Sequence, residues 1–249
     1  MKRILTALIV SAIAVGAAAQ EGSTGLGIQF GFAQTDFRVN SWDPKVDGKE
    51  LNTTILNGTK VGLVWDATYI KGFGSMIGLN YTFGAYDTGW KSIYEMEYPK
   101  GKTKGYYHQM ELFVDWQYKF QIAGDTYVIL YTGPTLQCQL SLIETDFIRT
   151  YSGADSKTKE IHRYDYSDAD LHTDYKRINV TWGVGVGFQY DRYYLRGGYD
   201  FGLINPYKIS DFNEAFGNVY GENHDSGRAT RGRIDQWSIK IGVFFWQKD

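Results

Sequence analysis

The sequence has few of the residues that cross-link or interrupt a small fold. It contains a single cysteine, Cys138, and only four prolines in 249 residues. One cysteine excludes an internal disulfide scaffold. The chain is instead rich in tyrosine (20), tryptophan (7) and glycine (29), whereas disordered chains are poor in aromatic residues. This composition is typical of a protein built from many long strands.

A basic excess and long apolar runs are also missing. The net charge is −2, and a nucleic-acid-binding surface needs a basic face, so we expect no nucleic-acid partner. The mean hydropathy of −0.36 excludes a bundle of membrane helices. It leaves open a membrane β-barrel, in which only alternate residues face lipid.

The N-terminus predicts a secretory signal peptide over residues 1–19. Lys2 and Arg3 precede the apolar run "ILTALIVSAIAVG", which is shorter than the roughly 20 residues of a membrane helix. Ala17 and Ala19 form the A-x-A cleavage pattern. We therefore expect a mature chain of residues 20–249 that forms one domain. Without Lys2 and Arg3 it has 24 basic and 28 acidic residues, a net charge of −4.

Eight segments alternate between apolar and small or polar residues with the period of a β-strand. They run roughly over 24–36, 55–69, 72–86, 105–120, 125–144, 176–191, 192–205 and 231–247. Connections are tight after the second, fourth and sixth segments and long after the others, so tight turns and long loops lie at opposite ends. The sequence predicts an all-β, eight-stranded antiparallel up-and-down barrel with short periplasmic turns and long extracellular loops.

The alternation alone fits two closed barrels, a soluble lipocalin-like barrel and a transmembrane barrel. Three features favour the membrane barrel: an almost charge-free apolar face, an opposite face rich in glycine, and aromatic residues at both ends of the apolar face. The predicted aromatic belt near the tight turns comprises Tyr69, Phe73, Tyr118, Phe120, Tyr190, Tyr193 and Phe245. The belt near the long loops comprises Tyr81, Phe83, Trp182, Tyr199 and Trp237.

The other register carries equal numbers of positive and negative charges. These are Lys60, Lys119, Arg196 and Lys240 against Asp66, Glu111, Asp115 and Asp200. Buried charges must be paired, so this register predicts a balanced charge network that plugs the lumen. The alternative is a narrow gated channel for small solutes. A wide porin would need about 16 strands.

Three segments carry a resemblance to a known family: "MKRILTALIVSAIAVGAAAQ", "INVTWGVGVGFQYDRYYLRGGYDFGL" and "QWSIKIGVFFWQKD". The chain resembles the small eight-stranded outer-membrane β-barrels of Gram-negative bacteria, of the OmpX/OmpA-barrel type. It is also similar to the PorT-like "outer membrane protein β-barrel domain" porin family of Bacteroidetes. Such barrels often end on an aromatic residue, whereas here three residues follow Trp246.

The resemblance implies a location and a set of partners. It implies an outer-membrane protein, delivered by periplasmic chaperones and the barrel-assembly machinery, that contacts outer-membrane lipid and lipopolysaccharide. The resemblance names no single activity, and we expect a non-enzymatic function in envelope structure and surface interaction, without a cofactor.

Some barrels of this type hydrolyse lipids or peptides, using a histidine near the outer rim. Here His108 falls at the outer end of a strand. His162 and His172 share the connection 145–175 with Asp165, Asp168, Asp170 and Asp174. No G-x-S-x-G or H-E-x-x-H motif occurs, and "DYSDAD" does not match an EF-hand. We expect neither an enzyme nor a metal site, with a hydrolase as the least favoured alternative.

The connection 145–175 is also a candidate binding surface. Strand-like alternation continues through "ETDFIRTY", which predicts a hairpin protruding from the barrel. Protruding strand edges pair with other chains, and tyrosine is enriched at interfaces. We hypothesise an extracellular protein partner for this loop, which contains Tyr151, Tyr164, Tyr166 and Tyr175.

Overall fold

The computed structural model describes residues 23–40, 51–87, 91–92, 100–152, 155–165, 176–205 and 231–248. It contains ten strands: β1 (Thr24–Asn40), β2 (Leu51–Ile70), β3 (Phe73–Asp87), β4 (Lys91–Ser92), β5 (Lys100–Ala123), β6 (Thr126–Ser152), β7 (Asp155–Asp165), β8 (Ile178–Tyr190), β9 (Tyr193–Gly202) and β10 (Arg231–Lys248). The predicted signal peptide, 1–19, lies outside these residues. Among them no helix is long and apolar enough to cross a membrane.

Eight of the ten strands form a closed antiparallel ring. Its order is β1, β2, β3, β5, β6, β8, β9 and β10, and the pairing of β10 with β1 closes it. The predicted eight-stranded up-and-down barrel is therefore confirmed. The two remaining strands lie outside the ring. The short β4 pairs with the start of β5, and β7 pairs with the distal part of β6.

The three tight turns lie at one end of the barrel, as predicted. Lys71 and Gly72 connect β2 to β3, both with positive φ (48° and 84°), which is the backbone of a type I′ hairpin turn. The other two turns each contain one residue with positive φ, Gly124 (49°) between β5 and β6 and Asp191 (50°) between β8 and β9. We refer to this end as the turn end and to the opposite end as the loop end.

The apolar register faces outward. Phe30, Val186 and Ile241 are 54%, 54% and 60% exposed, whereas the interleaved residues Gln29 and Lys240 are buried. A soluble barrel would bury the apolar register and expose the polar one. The observed polarity is the reverse, which is the arrangement of a membrane barrel and contradicts the lipocalin-like alternative.

Ten of the twelve predicted belt residues are exposed on the outer face, at 37–61%, and they lie at two levels. Eight residues separate Phe73 from Tyr81 and Tyr190 from Trp182. At a rise of about 3.3 Å per residue and a tilt of about 40°, this is roughly 20 Å along the barrel axis. Near the loop end several of these side chains are hydrogen bonded: Tyr199 donates to Asp235 Oδ2 (2.9 Å), and Trp182 Nε1 donates to Thr132 Oγ1 (2.8 Å).

Several irregularities shift the strand registers locally, and two of them lie in β10 and β6. In β10, Leu26 pairs with Trp246 and Gly27 pairs with Phe244, so Phe245 is the extra residue. In β6 the extra residue is Leu140, since Gln139 pairs with Gln109 and Ser141 with His108. Beyond this bulge Leu142 lies opposite the inward-facing Tyr107. The register of β6 against β5 is therefore shifted by one residue beyond Leu140.

Candidate functional site

The lumen is crossed by three buried ion pairs. Lys60 Nζ lies 2.6 Å from Glu111 Oε2, and Lys119 Nζ lies 2.6 Å from Asp66 Oδ2. Both pairs join β2 to β5. A third pair joins β9 to β5, with 2.9 Å between Arg196 Nη2 and Asp115 Oδ2. Six of the eight predicted lumen charges are thus brought together as direct pairs, and all six are at most 8% exposed.

Neutral amides complete the network around Glu111. Lys60 also donates to Gln236 Oε1 (2.6 Å), and Gln109 Nε2 donates to Glu111 Oε1 (2.9 Å). Gln236 in turn donates to Thr35 Oγ1 (2.9 Å). The predicted lumen network contained charged residues alone and did not include these amides. Their position in the same alternating register as the charges is the signal that would have identified them.

Arg196 is the most enclosed of the lumen charges, with 0% exposure. Besides its pair with Asp115, its guanidinium carbon lies 3.7 Å from the ring centroid of Tyr131, a cation–π contact. The Tyr131 ring lies against Gly185 and Gly198, where a Cβ atom would overlap it. The glycines of this register therefore make room for large inward side chains in a narrow barrel.

Lys240 and Asp200 are the two predicted lumen charges that are not brought into direct contact. They line one small cavity of about 10 Å³, together with Lys60, Glu111 and Asp115. Lys240 Nζ also lies 5.1 Å from the ring centroid of Phe113. These six charged groups, counting Arg196 beside Asp115, form a balanced cluster of three cations and three carboxylates.

An apolar layer lies between this cluster and the turn end. It consists of Val64, Met76, Phe113, Tyr194 and Phe244, all at most 3% exposed. The rings of Tyr194 and Phe244 are stacked, with 4.9 Å between their centroids. These side chains pack together inside the barrel, where eight strands leave just enough room for side chains.

A second polar compartment opens at the turn end. We call this cavity of about 720 Å³ the vestibule. The Lys119–Asp66 pair lies among its walls. Its lining includes at least one residue from each of the three tight turns: Lys71 and Gly72, Asp125, and Asp191. The sequence pattern did not identify this compartment.

Of the three histidine candidates, the structure describes the side chain of His108 alone. His108 lies on the outer face, where its Nδ1 is 2.6 Å from the hydroxyl of Tyr81. His162 lies in β7, of which the structure describes the backbone pairing, and His172 lies outside the described residues. No group of three potential metal ligands occurs within the residues that the structure describes.

The predicted partner-binding loop is partly described. β6 continues beyond the barrel to Ser152 and returns as β7, paired from Ile143↔Asp165 to Ser152↔Asp155. Tyr151 lies in β6 and Tyr164 in β7. Tyr166 and Tyr175 fall outside the described residues.

Comparisons with solved structures find other small barrels at low identity. Ail, the attachment invasion locus protein of Yersinia pestis, is 12% identical over 91% of this chain and 100% of its own, with a TM-score of 0.36. Neisserial surface protein A is 12% identical over 90% and 100%, with a TM-score of 0.35. The N-terminal β-barrel domain of Pseudomonas aeruginosa OprF is 10% identical over 90% and 99%, with a TM-score of 0.31.

No protein-family model matches the chain, and no curated sequence matches it significantly. The fold assignment follows from the strand pairing of the chain itself.

Proposed function

We propose that this protein is a non-enzymatic integral barrel of a Gram-negative outer membrane that serves envelope structure and surface interaction. Its apolar exterior and the predicted signal peptide support this location. Cell fractionation tests it, since the mature protein should appear in the outer-membrane fraction and lack residues 1–19. Recovery from the soluble periplasm would contradict it.

The side chains that cross the lumen are the observation that supports a non-conducting function. Three ion pairs cross it, and the apolar layer of Val64, Met76, Phe113, Tyr194 and Phe244 separates the charge cluster from the vestibule. Breaking one such pair leaves an uncompensated buried charge, at a cost of about 3–5 kcal/mol. A continuous water path would require these side chains to rearrange together.

Planar-bilayer recordings distinguish the plugged barrel from a channel. Wild-type protein, shown to be folded by its heat-modifiable mobility on gels, should give no discrete openings. The double variant Phe113→Ala/Phe244→Ala serves as the comparison, because it removes two rings from the apolar layer. Discrete openings from the wild type would instead support the narrow gated channel for small solutes.

We further propose that the loop 145–175 binds an extracellular protein. The paired backbones of β6 and β7 extend from the barrel and support this proposal, and the loop tyrosines would supply contact area. Deletion of 150–170 should abolish partner binding while leaving heat-modifiable folding intact. An equally long deletion within the connection 206–230 is the matched control. Retained binding without 150–170 would disprove the proposal.

The remaining proposals rest on the resemblance to small outer-membrane barrels described in the sequence analysis. We propose that the chain belongs to the PorT-like family and that its outer face contacts lipid and lipopolysaccharide. We also propose that periplasmic chaperones and the barrel-assembly machinery insert it. A barrel of this polarity supports these proposals. Depletion of the assembly machinery should reduce the folded form in cells. An unchanged folded fraction would argue against that route.

A further inference from the structure

Two exposed cations lie beyond the aromatic belt at the loop end, on the side of the barrel formed by β8, β9 and β10. Arg233 lies four residues beyond Trp237 in β10, and Lys176 lies six residues ahead of Trp182 in the chain. At a rise of about 3.3 Å per residue and a tilt of about 40°, these positions are roughly 10 and 15 Å beyond the belt. Lysine and arginine side chains are long enough to reach back toward the headgroup layer of a bilayer.

Both cations are positioned by a polar contact and remain exposed. Lys176 Nζ donates to the carbonyl oxygen of Asn205 (2.9 Å). Arg233 Nε lies 2.8 Å from Asp235 Oδ2, and the Arg233 side chain is still 47% exposed. An ammonium has three N–H donors and a guanidinium has five. Each cation therefore has more donors than these contacts use.

The carboxylate that pairs with Arg233 is itself enclosed. Asp235 is 0% exposed. Its Oδ1 accepts a hydrogen bond from the backbone N–H of Gly202 (3.0 Å), and its Oδ2 accepts one from the hydroxyl of Tyr199 (2.9 Å). What this pair presents to the surroundings is therefore its cationic member.

Large apolar side chains are exposed next to the cations. Ile178, Leu203 and Leu140 are all exposed, at 38–56%. Ile178 follows Lys176 by two residues, and the backbone N–H of Leu203 donates to the carbonyl oxygen of Val180 (2.8 Å), which joins the tops of β8 and β9. Apolar surface beside cations at headgroup level fits an amphiphile with an acyl chain and an anionic head.

The exterior of β1 and β2 lacks this combination among the side chains that the structure describes. Beyond the belt these strands carry Gln34, Asp36 and Asn57, which are neutral or acidic. Gln34 donates to Asn57 Oδ1 (3.0 Å) and accepts a hydrogen bond from Trp237 Nε1. Cations beside exposed apolar residues are therefore not a property of the whole rim.

We propose that the side formed by β8, β9 and β10 binds the diphosphorylated headgroup of an outer-leaflet glycolipid. One phosphate lies at Arg233 and the other at Lys176, and an acyl chain lies along Ile178 and Leu203. Arginine and lysine both bind phosphate strongly. The cations belong to strands two positions apart, about 10 Å at a spacing of about 4.8 Å, which suits two separated phosphates. This inference rests on the proposed outer-membrane location and names a site for the lipopolysaccharide contact.

Calorimetric titration of the folded mature chain in detergent micelles at low salt tests this site. Diphosphoryl lipid A in the same detergent should bind at least tenfold more tightly than the same lipid after removal of both phosphates. Lys176→Asn/Arg233→Gln should weaken binding of diphosphoryl lipid A at least fivefold, because it removes both cations. Arg233→Lys keeps the charge and should lose less affinity than Arg233→Gln. Leu203→Ser should also weaken binding, since it removes apolar contact.

The matched control is Lys71→Asn/Arg192→Gln, which removes one exposed lysine and one exposed arginine at the turn end. Asparagine tolerates the positive φ of Lys71, and this variant should bind lipid A as the wild type does. Equal affinity for phosphorylated and dephosphorylated lipid would overturn the proposal. So would an unchanged affinity in Lys176→Asn/Arg233→Gln, or inorganic phosphate binding as tightly as lipid A. Cell fractionation measures the proposed location separately, so failure of this site leaves that location standing.

Discussion

Arg196 on β9 and Asp115 on β5 are joined across the lumen by a 2.9 Å contact between Nη2 and Oδ2. The ring places β6 and β8 between these strands, so the pair connects parts of the barrel that share no backbone hydrogen bonds. It is also fully enclosed. The stability of the barrel should therefore depend on this contact more than on any exposed ion pair.

Arg196→Met should destabilise the barrel by about 3–5 kcal/mol, because it leaves the Asp115 carboxylate buried without its partner. Urea unfolding in micelles, followed by gel mobility, measures the change. Arg196→Met/Asp115→Leu should recover part of the loss, since an apolar replacement of a whole buried pair is often neutral or better. A double variant less stable than Arg196→Met would contradict this account.

Arg192→Gln is the matched control for Arg196→Met. The Arg192–Asp191 pair is 3.6 Å long, with both side chains more than half exposed. Exposed pairs contribute about 0–1 kcal/mol, so this variant should unfold close to the wild type.

Phe244 and Phe245 are neighbours in β10 that point in opposite directions. Phe244 is 2% exposed within the apolar layer, whereas Phe245 is 57% exposed on the outer face. Phe244→Ala should cost about 3–5 kcal/mol because it opens a cavity in packed surroundings. Phe245→Ala should cost clearly less. Equal losses in urea unfolding would show that the described register of β10 is incorrect.

Gly197 and Gly198 are adjacent, but replacement by alanine should affect the stability of the barrel differently at the two positions. A Cβ at Gly198 would overlap the Tyr131 hydroxyl, whereas a Cβ at Gly197 would lie 3.7 Å from Ile239 Cγ1, an ordinary contact. Gly198→Ala should destabilise the barrel by about 1–3 kcal/mol through overpacking, and Gly197→Ala should be tolerated. Thermal unfolding on gels compares the two, and a tolerated Gly198→Ala would argue against the tight Tyr131 contact.

Alanine variants at Gly72 and Gly124 distinguish two causes of destabilisation, the positive φ angle and the close approach of another backbone atom. Both have positive φ, but a Cβ at Gly72 would overlap the carbonyl oxygen of Lys119, whereas nothing lies within 4 Å at Gly124. Gly124→Ala should cost about 1–2 kcal/mol from backbone strain alone, and Gly72→Ala should cost more. The same midpoint for both variants in urea would contradict the predicted contact.

Much of the barrel was predictable because strand alternation is a local property. Segments such as 176–191 and 72–86 display both faces within one stretch of chain. The irregularities were not predictable in this way. The bulge at Leu140 depends on how β6 pairs with β5, and it inverts the register beyond it without a mark in the sequence.

The candidate site was predictable in composition and not in geometry. The alternating register identified the eight inward charges, but their partners lie far apart in the chain. Lys60 and Glu111 are 51 residues apart, and Asp115 and Arg196 are 81 apart. Closure of the ring brings six of the charges together as three direct pairs. It leaves Lys240 and Asp200 without a direct ion-pair contact within the described structure.

The sequence by itself determined the strand number, the alternation of turns and loops, and the separation of apolar from polar faces, because each is encoded within a few neighbouring residues. Only the tertiary structure decided which charges meet, where the bulges shift the strand registers, and that a vestibule opens at the turn end. These features require the curvature and closure of the sheet, which bring distant strands together and which no single segment contains.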